Sequence, residues 1–199
     1  MAVVRDTTIS FSNKLTEMIK LHQLTNGFCK DDDGNILEFG KQKINALEEI
    51  IDETDDKIII WANYIYNIEQ VKEFLTSKYG KDSFVEIYGA TKIKDRQQAI
   101  ESFQNDPKVR FFVSNPTTGG YGLTLTAANT VVYFSNNYNL EVRKQSEDRA
   151  HRSGQKGTVV IIDIITQNTI DEKIMKALTK KGQIAAKTLG EEELKDWLL

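Results

Sequence analysis

Downstream of residue 57, short apolar runs rich in isoleucine and valine alternate with amphipathic stretches of helical length. This alternation is typical of βαβ units built around a parallel sheet. The apolar runs predict five strands, at residues 57–62, 84–88, 109–114, 130–135 and 158–165. The amphipathic stretches predict helices at residues 65–79, 94–105 and 141–152. Because the runs at 58–61 and 159–162 are almost entirely apolar, we expect strands buried on both faces, with helices on both sides of the sheet. The sequence therefore predicts an α/β fold.

The segment before residue 57 has a different pattern. Amphipathic stretches at 15–26 and 42–54 predict two helices, and the acidic turn that begins at Asp31 predicts a hairpin between them. After the last strand, Thr169 followed three residues later by Glu172 forms a capping box that opens a C-terminal helix. We therefore expect three parts: a helical N-terminal extension at 1–56 packed on the main domain, an α/β lobe at 57–190 and a helical tail at 191–199.

Composition limits the classes of protein to which the chain belongs. Its 199 residues, 40% of them hydrophobic and 28% charged, suit one globular domain with a core of its own. The formal net charge of -3 means that any affinity for DNA must come from a local patch of positive groups and backbone amides. Cys29 is the single cysteine, and the sequence has neither a signal peptide nor an apolar run of membrane-spanning length. We expect a reduced, cytoplasmic protein that contacts no membrane.

Three short motifs resemble metal or phosphate sites without completing them. The run Asp52-Glu53-Thr54-Asp55 has the form of an acidic magnesium box, but its segment has helical periodicity and no G-x-x-x-x-G-K-[ST] loop precedes it. The run from Gly34 to Gly40-Lys41 is one residue too long for such a loop and continues with Gln42 in place of a hydroxyl. The turn at Asp31 lacks the glycine and the bidentate glutamate of a calcium loop. We interpret the first as a solvated helix end and the last as a hairpin turn.

The stretch 145–155, Gln-Ser-Glu-Asp-Arg-Ala-His-Arg-Ser-Gly-Gln, has the strongest chemical signal. Arg149 and Arg152 are three positions apart, so in a helix they share one face, with Gln145 one turn behind. That spacing alone is typical of surface ion pairs, for example Asp148 with Arg152. The predicted helix, however, follows a strand and a polar loop, and we expect this to place the arginines near the carboxyl edge of the sheet, where α/β proteins bind ligands. Guanidinium groups there can bind a γ-phosphate supplied by another domain.

A second polar stretch, residues 115–129, directly follows the third predicted strand. It contains Gly119, Gly120 and Gly122 together with four threonines. Glycines expose backbone amides at a strand end, and such amides suit the phosphate oxygens of a nucleotide or of DNA. A tight strand-to-helix connection would account for one or two glycines, so this stretch is informative only in combination with the arginine stretch.

Together, the two stretches resemble motifs V and VI of the Swi/Snf-like family in helicase superfamily two. Residues 145–155 fill every fixed position of the motif VI pattern Q-x-x-D-R-x-H-R-x-G-Q, and residues 119–128 resemble the motif V pattern G-G-x-G-L-N-L-T-x-A with Thr124 in place of asparagine. Further matches are the motif IV stretch 59–63, the glycine-threonine turn 88–91 with Arg96, and the C-terminal run 169–174. The resemblance covers roughly residues 57–189, and the short form without insertions is similar to phage and bacterial members.

The resemblance implies the C-terminal, second RecA-like lobe of an ATP-driven double-stranded-DNA translocase. Such a lobe closes on ATP and Mg²⁺ held mainly by an N-terminal RecA-like lobe, encoded in the same gene or an adjacent one, and Arg149 and Arg152 then stabilise charge on the transferring phosphoryl group. The residues implied to bind ATP are Gln145, Gly120, Gly122 and His151. The residues implied to bind one DNA strand through its phosphates are Asn63, Thr91, Thr117, Thr118 and Gly119. We expect the chain alone to hydrolyse no ATP, and the implied location is the cytoplasm of a bacterial or phage-infected cell.

Two other classes of function remain open at this point. A non-enzymatic α/β module would use the glycine-rich stretch to bind a nucleotide or phosphate ligand, but it leaves the pattern at 145–155 unexplained. A catalytically inactive scaffold lobe is the second, and the intact Arg149 and Arg152 count against it. His151 also has an alternative interpretation as a helix-packing histidine, and the residues assigned to DNA are equally suited to turns and caps.

Overall fold

The computed structural model describes residues 2–4, 7–9, 13–89, 91–119, 122–155 and 157–189. In chain order the elements are β1 (Ala2–Val4), β2 (Thr7–Ile9), α1 (Lys14–Thr25), β3 (Phe28–Lys30), β4 (Ile36–Glu38), α2 (Gln42–Asp52), β5 (Lys57–Trp61), α3 (Ile65–Tyr79), β6 (Phe84–Ile87), α4 (Ile93–Asn105), β7 (Phe111–Ser114), α5 (Pro116–Gly119), β8 (Ala128–Tyr133), α6 (Leu140–Glu147), β9 (Val160–Asp163) and α7 (Ile170–Leu189). No helix among these residues is long and apolar enough to span a bilayer.

The main sheet has five strands in the order β6-β7-β5-β8-β9, and each neighbouring pair is parallel. The strands fall where the apolar runs predict them, so the predicted α/β fold with a parallel sheet is confirmed. β5 lies at the centre, and its residues alternate between the two faces of the sheet. Ile58 and Ile60 belong to one apolar core and Ile59 and Trp61 to the other, as the two-residue period of a strand requires.

Helices cover both faces of the sheet. On one face, α2 contributes Leu47 and Ile51 and α3 contributes Val71 and Leu75 to the core around Ile58. On the other face, α4 contributes Phe103, whose ring lies 5.5 Å from that of Phe112 on β7, while Phe112 meets Trp61 edge to face at 6.0 Å. Offset and edge-to-face pairs of this kind add about 0.5–1.5 kcal/mol each beyond the burial of their area.

Three predictions about the sheet and its helices are wrong in detail. β9 lies at the sheet edge and is only partly covered, with Val160 51% exposed, although its apolar run predicted a strand buried on both faces. The helix predicted at 141–152 ends at Glu147, and the residues after it form a turn. The second predicted helix of the N-terminal segment likewise ends at Asp52, which is an exposed helix end as its periodicity indicated.

The N-terminal segment combines α1 with two small antiparallel hairpins, β1–β2 and β3–β4, of which only the turn of the second was predicted. That turn is held by Asp31, whose carboxylate accepts hydrogen bonds from the backbone amides of Asp33 (3.0 Å) and Asn35 (2.8 Å) and from the Asn35 side chain (2.9 Å). The acidic run that begins at Asp31 is therefore a hairpin turn, as the sequence predicted. The division of the chain at residues 56 and 190 stays a prediction, and 191–199 lie outside the described residues.

A buried ion pair connects the N-terminal segment to α7. Lys43 Nζ on α2 lies 2.7 Å from Asp171 Oδ2 in the first turn of α7, and both side chains are almost fully buried. Asp171 also accepts hydrogen bonds from the Thr25 hydroxyl (2.8 Å) and the Thr166 amide (3.1 Å). Burial alone would raise the pKa of Asp171, but the charge and hydrogen bond of Lys43 lower it.

The N-terminus of α7 differs slightly from the predicted capping box. The Thr169 hydroxyl accepts a hydrogen bond from the Asp171 amide at 3.2 Å, so the threonine does act at the start of the helix. The Glu172 carboxylate, however, accepts from the Asn168 amide at 3.0 Å instead of returning to Thr169. Asn168, the residue before Thr169, has a positive φ of 58°, and its amide takes the place that the capping box assigns to the Thr169 amide.

Candidate functional site

A row of polar residues follows the carboxyl ends of β6, β7 and β5. Asn63 comes after β5, where its backbone amide donates to Ser135 Oγ (2.8 Å) and its side-chain oxygen accepts from Asn137 Nδ2 (3.2 Å). Asn115 comes after β7 and donates its side-chain amide to the Asn63 carbonyl (2.8 Å). These cross-links hold the loops after β5, β7 and β8 together as one polar edge. Asn115, Asn137 and Ser135 were not among the predicted site residues, although their position directly after strands is a signal that could have found them.

Thr91 extends this row on the outer side of β7. Its hydroxyl accepts from the Tyr88 amide (3.1 Å), its own amide donates to the Tyr88 carbonyl (2.8 Å), and its carbonyl accepts from Arg96 Nε (2.9 Å). Thr91 therefore closes the turn after β6, and Arg96 secures it. Since neighbouring strands lie about 4.8 Å apart, the row from β6 to β5 spans roughly 10 Å.

Thr117 and Thr118 lie in α5, a single helical turn at the same edge. The Asn115 side chain caps that turn, because its Oδ1 accepts from the Thr117 amide at 2.8 Å, and the Asn115 carbonyl accepts from the Thr118 amide at 3.1 Å. Thr117 is exposed and Thr118 half-buried. Gly119 ends α5. The structure thus brings Asn63, Thr117, Thr118 and Gly119 to the edge that Thr91 extends, whereas Gly120 lies outside the described residues.

The arginines lie elsewhere than expected. α6 begins beside the carboxyl edge and runs away from it, and its last residue is Glu147. The Arg149 carbonyl then accepts from the Leu125 amide at 2.9 Å, and Gln155 Nε2 donates to the carbonyl of Ala128, the first residue of β8, at 2.8 Å. The arginine turn, residues 148–152, therefore lies beside the amino end of β8. The expectation that the arginines sit near the carboxyl edge is wrong, because α6 runs from that edge toward the opposite one. They also do not share one face of a helix, because α6 ends at Glu147, before it reaches them.

The side chains of the two arginines nevertheless converge. Arg149 Nη1 and Arg152 Nη1 each lie 3.4 Å from the Leu123 carbonyl oxygen, and Arg152 Nη1 also donates to Thr124 Oγ1 at 3.0 Å. Arg149 Nε donates to the Gln145 carbonyl at 2.9 Å. A single carbonyl thus gathers both guanidinium groups next to the glycine-rich stretch, and Thr124, where the family pattern has asparagine, orients one of them.

The arginine turn is positively charged and open. Arg149 is half-buried and Arg152 exposed, and neither has a carboxylate within 4.0 Å among the described residues. The ion pair of Asp148 with Arg152 that the spacing suggested is therefore not formed there. Burial, and then the charge of Arg152, lower the pKa of Arg149, and the charge of Asp148 opposes them in part. Two close cations, each with further N–H donors that bond no other described residue, suit a ligand with multiple negative charges, such as a terminal phosphate.

The other residues predicted to bind ATP differ in their position relative to the arginine turn and in their exposure. Gln145 donates its side-chain amide to Glu141 at 3.1 Å on the half-exposed side of α6. Gly122 has a φ of 73° and open space where a side chain would project, so backbone there is accessible to a ligand. His151 is exposed, so it does not pack against a helix as its alternative interpretation required. Arg149 is hydrogen-bonded directly to the Gln145 carbonyl, and it meets Arg152 only through the Leu123 carbonyl, which accepts from both.

A buried charged residue on α6, Arg143, was missed by the sequence analysis. Its guanidinium lies 2.5 and 3.1 Å from the two carboxylate oxygens of Asp163 at the end of β9, donates to Asn136 Oδ1 at 2.7 Å and to Glu147, and lies 3.5 Å from the ring centre of Tyr133. The sequence holds one signal for it, an aspartate at the end of an otherwise apolar strand. A strand residue of that kind needs a cation when it is buried.

Asp163 is the main charge partner of Arg143. Burial disfavours the charged guanidinium, but the hydrogen bond to Asp163 and the charges around it raise the pKa of Arg143 above its ordinary value. Burial raises the pKa of Glu147 in spite of the nearby guanidinium. Arg143 therefore stays a cation bound chiefly to Asp163, with Glu147 as an additional acceptor.

No group of three or more His, Cys, Asp or Glu side chains that could hold a metal ion occurs in the described parts of the chain. The site as described thus consists of a neutral polar edge on three strands and a separate cationic turn. Both can bind phosphate oxygens, the first through amides and hydroxyls and the second through charge.

The parallel sheet with helices on both faces, the polar carboxyl edge and the arginine turn define a RecA-like α/β lobe. The model of the helicase conserved C-terminal domain matches residues 42–154. This chain belongs to the helicase conserved C-terminal domain family, as the motif resemblance implied.

Similar proteins place the lobe among Swi2/Snf2-like ATPases. The chain is 30% identical over 175 residues to the chromatin-remodeling ATPase INO80 of Lodderomyces elongisporus, which is 87% of this chain and 11% of that protein. It is 31% identical over 155 residues to the helicase SWR1 of Candida glabrata, covering 76% of this chain and 11% of that protein. The chain therefore spans about a tenth of these relatives. Both are eukaryotic, so the expected short phage or bacterial type is not confirmed.

Two solved structures have the same fold. The Sulfolobus solfataricus SWI2/SNF2 ATPase C-terminal domain superimposes with a TM-score of 0.64 at 26% identity, covering 84% of this chain and 68% of that one. The C-terminal part of the Fun30 ATPase domain superimposes with a TM-score of 0.63 at 31% identity, covering 68% of this chain and 44% of that one. The RecA-like fold expected from the motifs is thereby confirmed.

Proposed function

We propose that this chain is the second motor lobe of an ATP-dependent double-stranded-DNA translocase and that Arg149 and Arg152 act as its arginine fingers. The observation that supports this most strongly is the convergence of both guanidinium groups on the Leu123 carbonyl without a carboxylate partner among the described residues. Two neighbouring cations repel each other, and an anion that binds between them relieves that repulsion. A separate phosphate-loop lobe would present that anion.

ATP with Mg²⁺, when bound, supplies the phosphoryl group that is transferred to water. On this chain, Arg149 and Arg152 stabilise the negative charge that develops on that group, and Thr124 and Leu123 keep the two guanidinium groups in place. The carbonyl contacts of both arginines are long, at 3.4 Å, so a phosphate oxygen can replace them at little cost. Gln145 and the backbone around Gly122 lie beside the same turn.

The polar carboxyl edge is the proposed DNA contact. Asn63, Thr91, Thr117, Thr118 and Gly119 offer amides and hydroxyls in a row of roughly 10 Å, comparable to three nucleotides at about 3.4 Å of rise each. These groups are uncharged and suit phosphate oxygens without reading bases. Because these groups are uncharged and the chain has a net charge of -3, we expect its DNA binding to be weak and independent of sequence.

The test restores the missing lobe. The chain is joined to or mixed with its phosphate-loop lobe, and DNA-stimulated hydrolysis is measured for Arg149→Ala and Arg152→Ala. Each should lose on the order of a thousandfold in kcat, because an arginine finger acts chiefly in the transition state, while KM for ATP changes much less. The free energy of unfolding should fall by about 1 kcal/mol or less, since neither side chain belongs to the core.

Lys176→Ala is the matched control, because it removes an exposed cation from α7 and should leave hydrolysis unchanged. Arg152→Lys should stay strongly impaired, since an ammonium lacks the planar fork of a guanidinium. Near-normal turnover in Arg152→Lys, or unfolding of both alanine variants with full activity in the folded fraction, would refute the finger assignment. Hydrolysis by this chain without a second lobe would instead favour a complete nucleotide site.

A further inference from the structure

Arg143 and its partners form a buried polar cluster that the proposed reaction does not use. We call Arg143, Asp163, Asn136 and Glu147 the anchor cluster. Arg143 is only 7% exposed, and Asn136 Nδ2 also donates to Asp163 Oδ1 at 2.6 Å, so every member of the cluster bonds at least one other. The cluster joins α6 to the ends of β8 and β9.

The anchor cluster fixes how α6 is rotated on the sheet. The Arg143 guanidinium lies over the Tyr133 ring of β8 at 3.5 Å, and the Tyr133 hydroxyl lies 2.5 Å from Ser146 Oγ, one turn further along α6. Both carboxylate oxygens of Asp163 accept hydrogen bonds from the Arg143 guanidinium, one from each terminal nitrogen. A helix held at two successive turns by directional contacts cannot rotate about its axis without breaking them.

Glu147 connects the cluster to the arginine turn. Its carboxylate accepts from Arg143 Nε, while its backbone carbonyl accepts from the amides of Ala150 and His151, both at 3.1 Å. The same residue therefore binds the anchor with its side chain and the turn with its main chain. Since Arg149 lies inside that turn, a change in the position of Glu147 moves Arg149 as well.

Stability alone gives no reason for this cluster. Buried ion pairs are often replaceable by apolar residues of similar volume without loss of stability, because desolvation offsets the attraction between the charges. Directional contacts instead define one geometry. We infer that Arg143 is a positioning residue, which orients Arg149 and Arg152 through Glu147; the inference rests on the finger role proposed above.

The first test observes the arginines in this chain without a second lobe. The Arg149 Nε–H group, which donates to the Gln145 carbonyl, is followed by side-chain NMR in wild type, Arg143→Lys and Asp163→Asn. We expect the Arg149 resonance to shift and its order parameter to fall in both variants. A single change can leave a buried charge unpaired and unfold the protein. The triple variant Arg143→Met/Glu147→Gln/Asp163→Leu removes all three charges of the cluster and provides a second variant to test in that case. An unchanged Arg149 signal in a folded variant would overturn the inference.

The second test measures turnover in the two-lobed assembly. Arg143→Lys should lower kcat at least tenfold and alter KM for ATP less than twofold, because misplaced fingers weaken the transition state more than the bound substrate. Lys72→Met, which breaks the partly buried pair between Lys72 of α3 and Glu86 of β6, controls for loss of an ion pair and should keep the wild-type kcat. If Arg149→Ala is inactive but Arg143→Lys has normal kcat, the positioning role of Arg143 is refuted while the finger proposal stands. If Arg149→Ala is fully active, the finger proposal itself fails.

Discussion

Lowering the pH should destabilise this protein through His22, one of its two histidines. His22 lies in α1, where Nδ1 is 2.8 Å from the Tyr64 hydroxyl and Nε2 has no hydrogen-bond partner among the described residues. Burial lowers its pKa from 6.5 to about 4; Asp171, 3.8 Å away, opposes this shift and Lys43 adds to it. The folded protein therefore keeps His22 neutral over a range in which the unfolded chain binds a proton.

The sign and size of the effect follow from that difference. Because the folded pKa is the lower one, the unfolded state takes up a proton first, and stability falls as pH decreases from about 6.5 to about 4. The full difference corresponds to roughly 3 kcal/mol, of which roughly 2 kcal/mol should be lost between pH 7 and pH 4.5. Asp171 acts in the same direction at lower pH, since its lowered pKa gives stability that is lost on protonation.

Urea unfolding followed by the fluorescence of buried Trp61 measures the effect at several pH values. His22→Asn keeps an acceptor for Tyr64 but cannot take up a proton, so it should lose roughly 2 kcal/mol less than wild type between pH 7 and pH 4.5. His151→Asn changes the exposed histidine and should retain the wild-type pH dependence. Equal slopes for wild type and His22→Asn would refute the reasoning.

Two further predictions concern the contacts that hold the N-terminal segment. Gly27→Ala should destabilise the chain by at least twice as much as Gly34→Ala, for which about 1 kcal/mol is expected. Both glycines have positive φ, but a Cβ at Gly27 would also lie 2.6 Å from the Gly40 carbonyl oxygen. The urea midpoints of the two variants give the comparison. Asp171→Asn should cost about 3–5 kcal/mol by the same assay because it leaves Lys43 buried without a counter-ion, and adding Lys43→Met should recover part of the loss.

The strands and most helices could be predicted because each is a local pattern. The helix Ile65–Tyr79 has the predicted bounds, and the five strands need only short apolar runs to be found. The end of α6 could not, since helical periodicity continues through Arg152. A contact between distant parts of the chain decides it: the Arg149 carbonyl, which a continuing helix would use itself, accepts the Leu125 amide instead.

The residues of the candidate site also differ in whether a local pattern in the sequence marks them. The motif resemblance points to Arg149, Arg152 and Thr117, and their roles stay predictions. Arg143 and Lys43 were not found, because charged residues are mostly exposed and nothing local distinguishes these two from the others. Their burial depends on Asp163 and Asp171, which are distant in sequence and become partners only in the folded sheet.

The central position of β5 has a consequence during synthesis. β5 is the first strand of the main sheet to leave the ribosome, yet both its neighbours come later, β7 beginning at Phe111 and β8 ending at Tyr133. At about 5–20 residues per second, the apolar run Ile58–Trp61 waits on the order of ten seconds before it has a strand on each side. For that interval the nascent chain exposes an apolar strand with both edges unpaired. Chaperone binding to ribosome-held chains should therefore peak after β5 emerges and decline once β8 does.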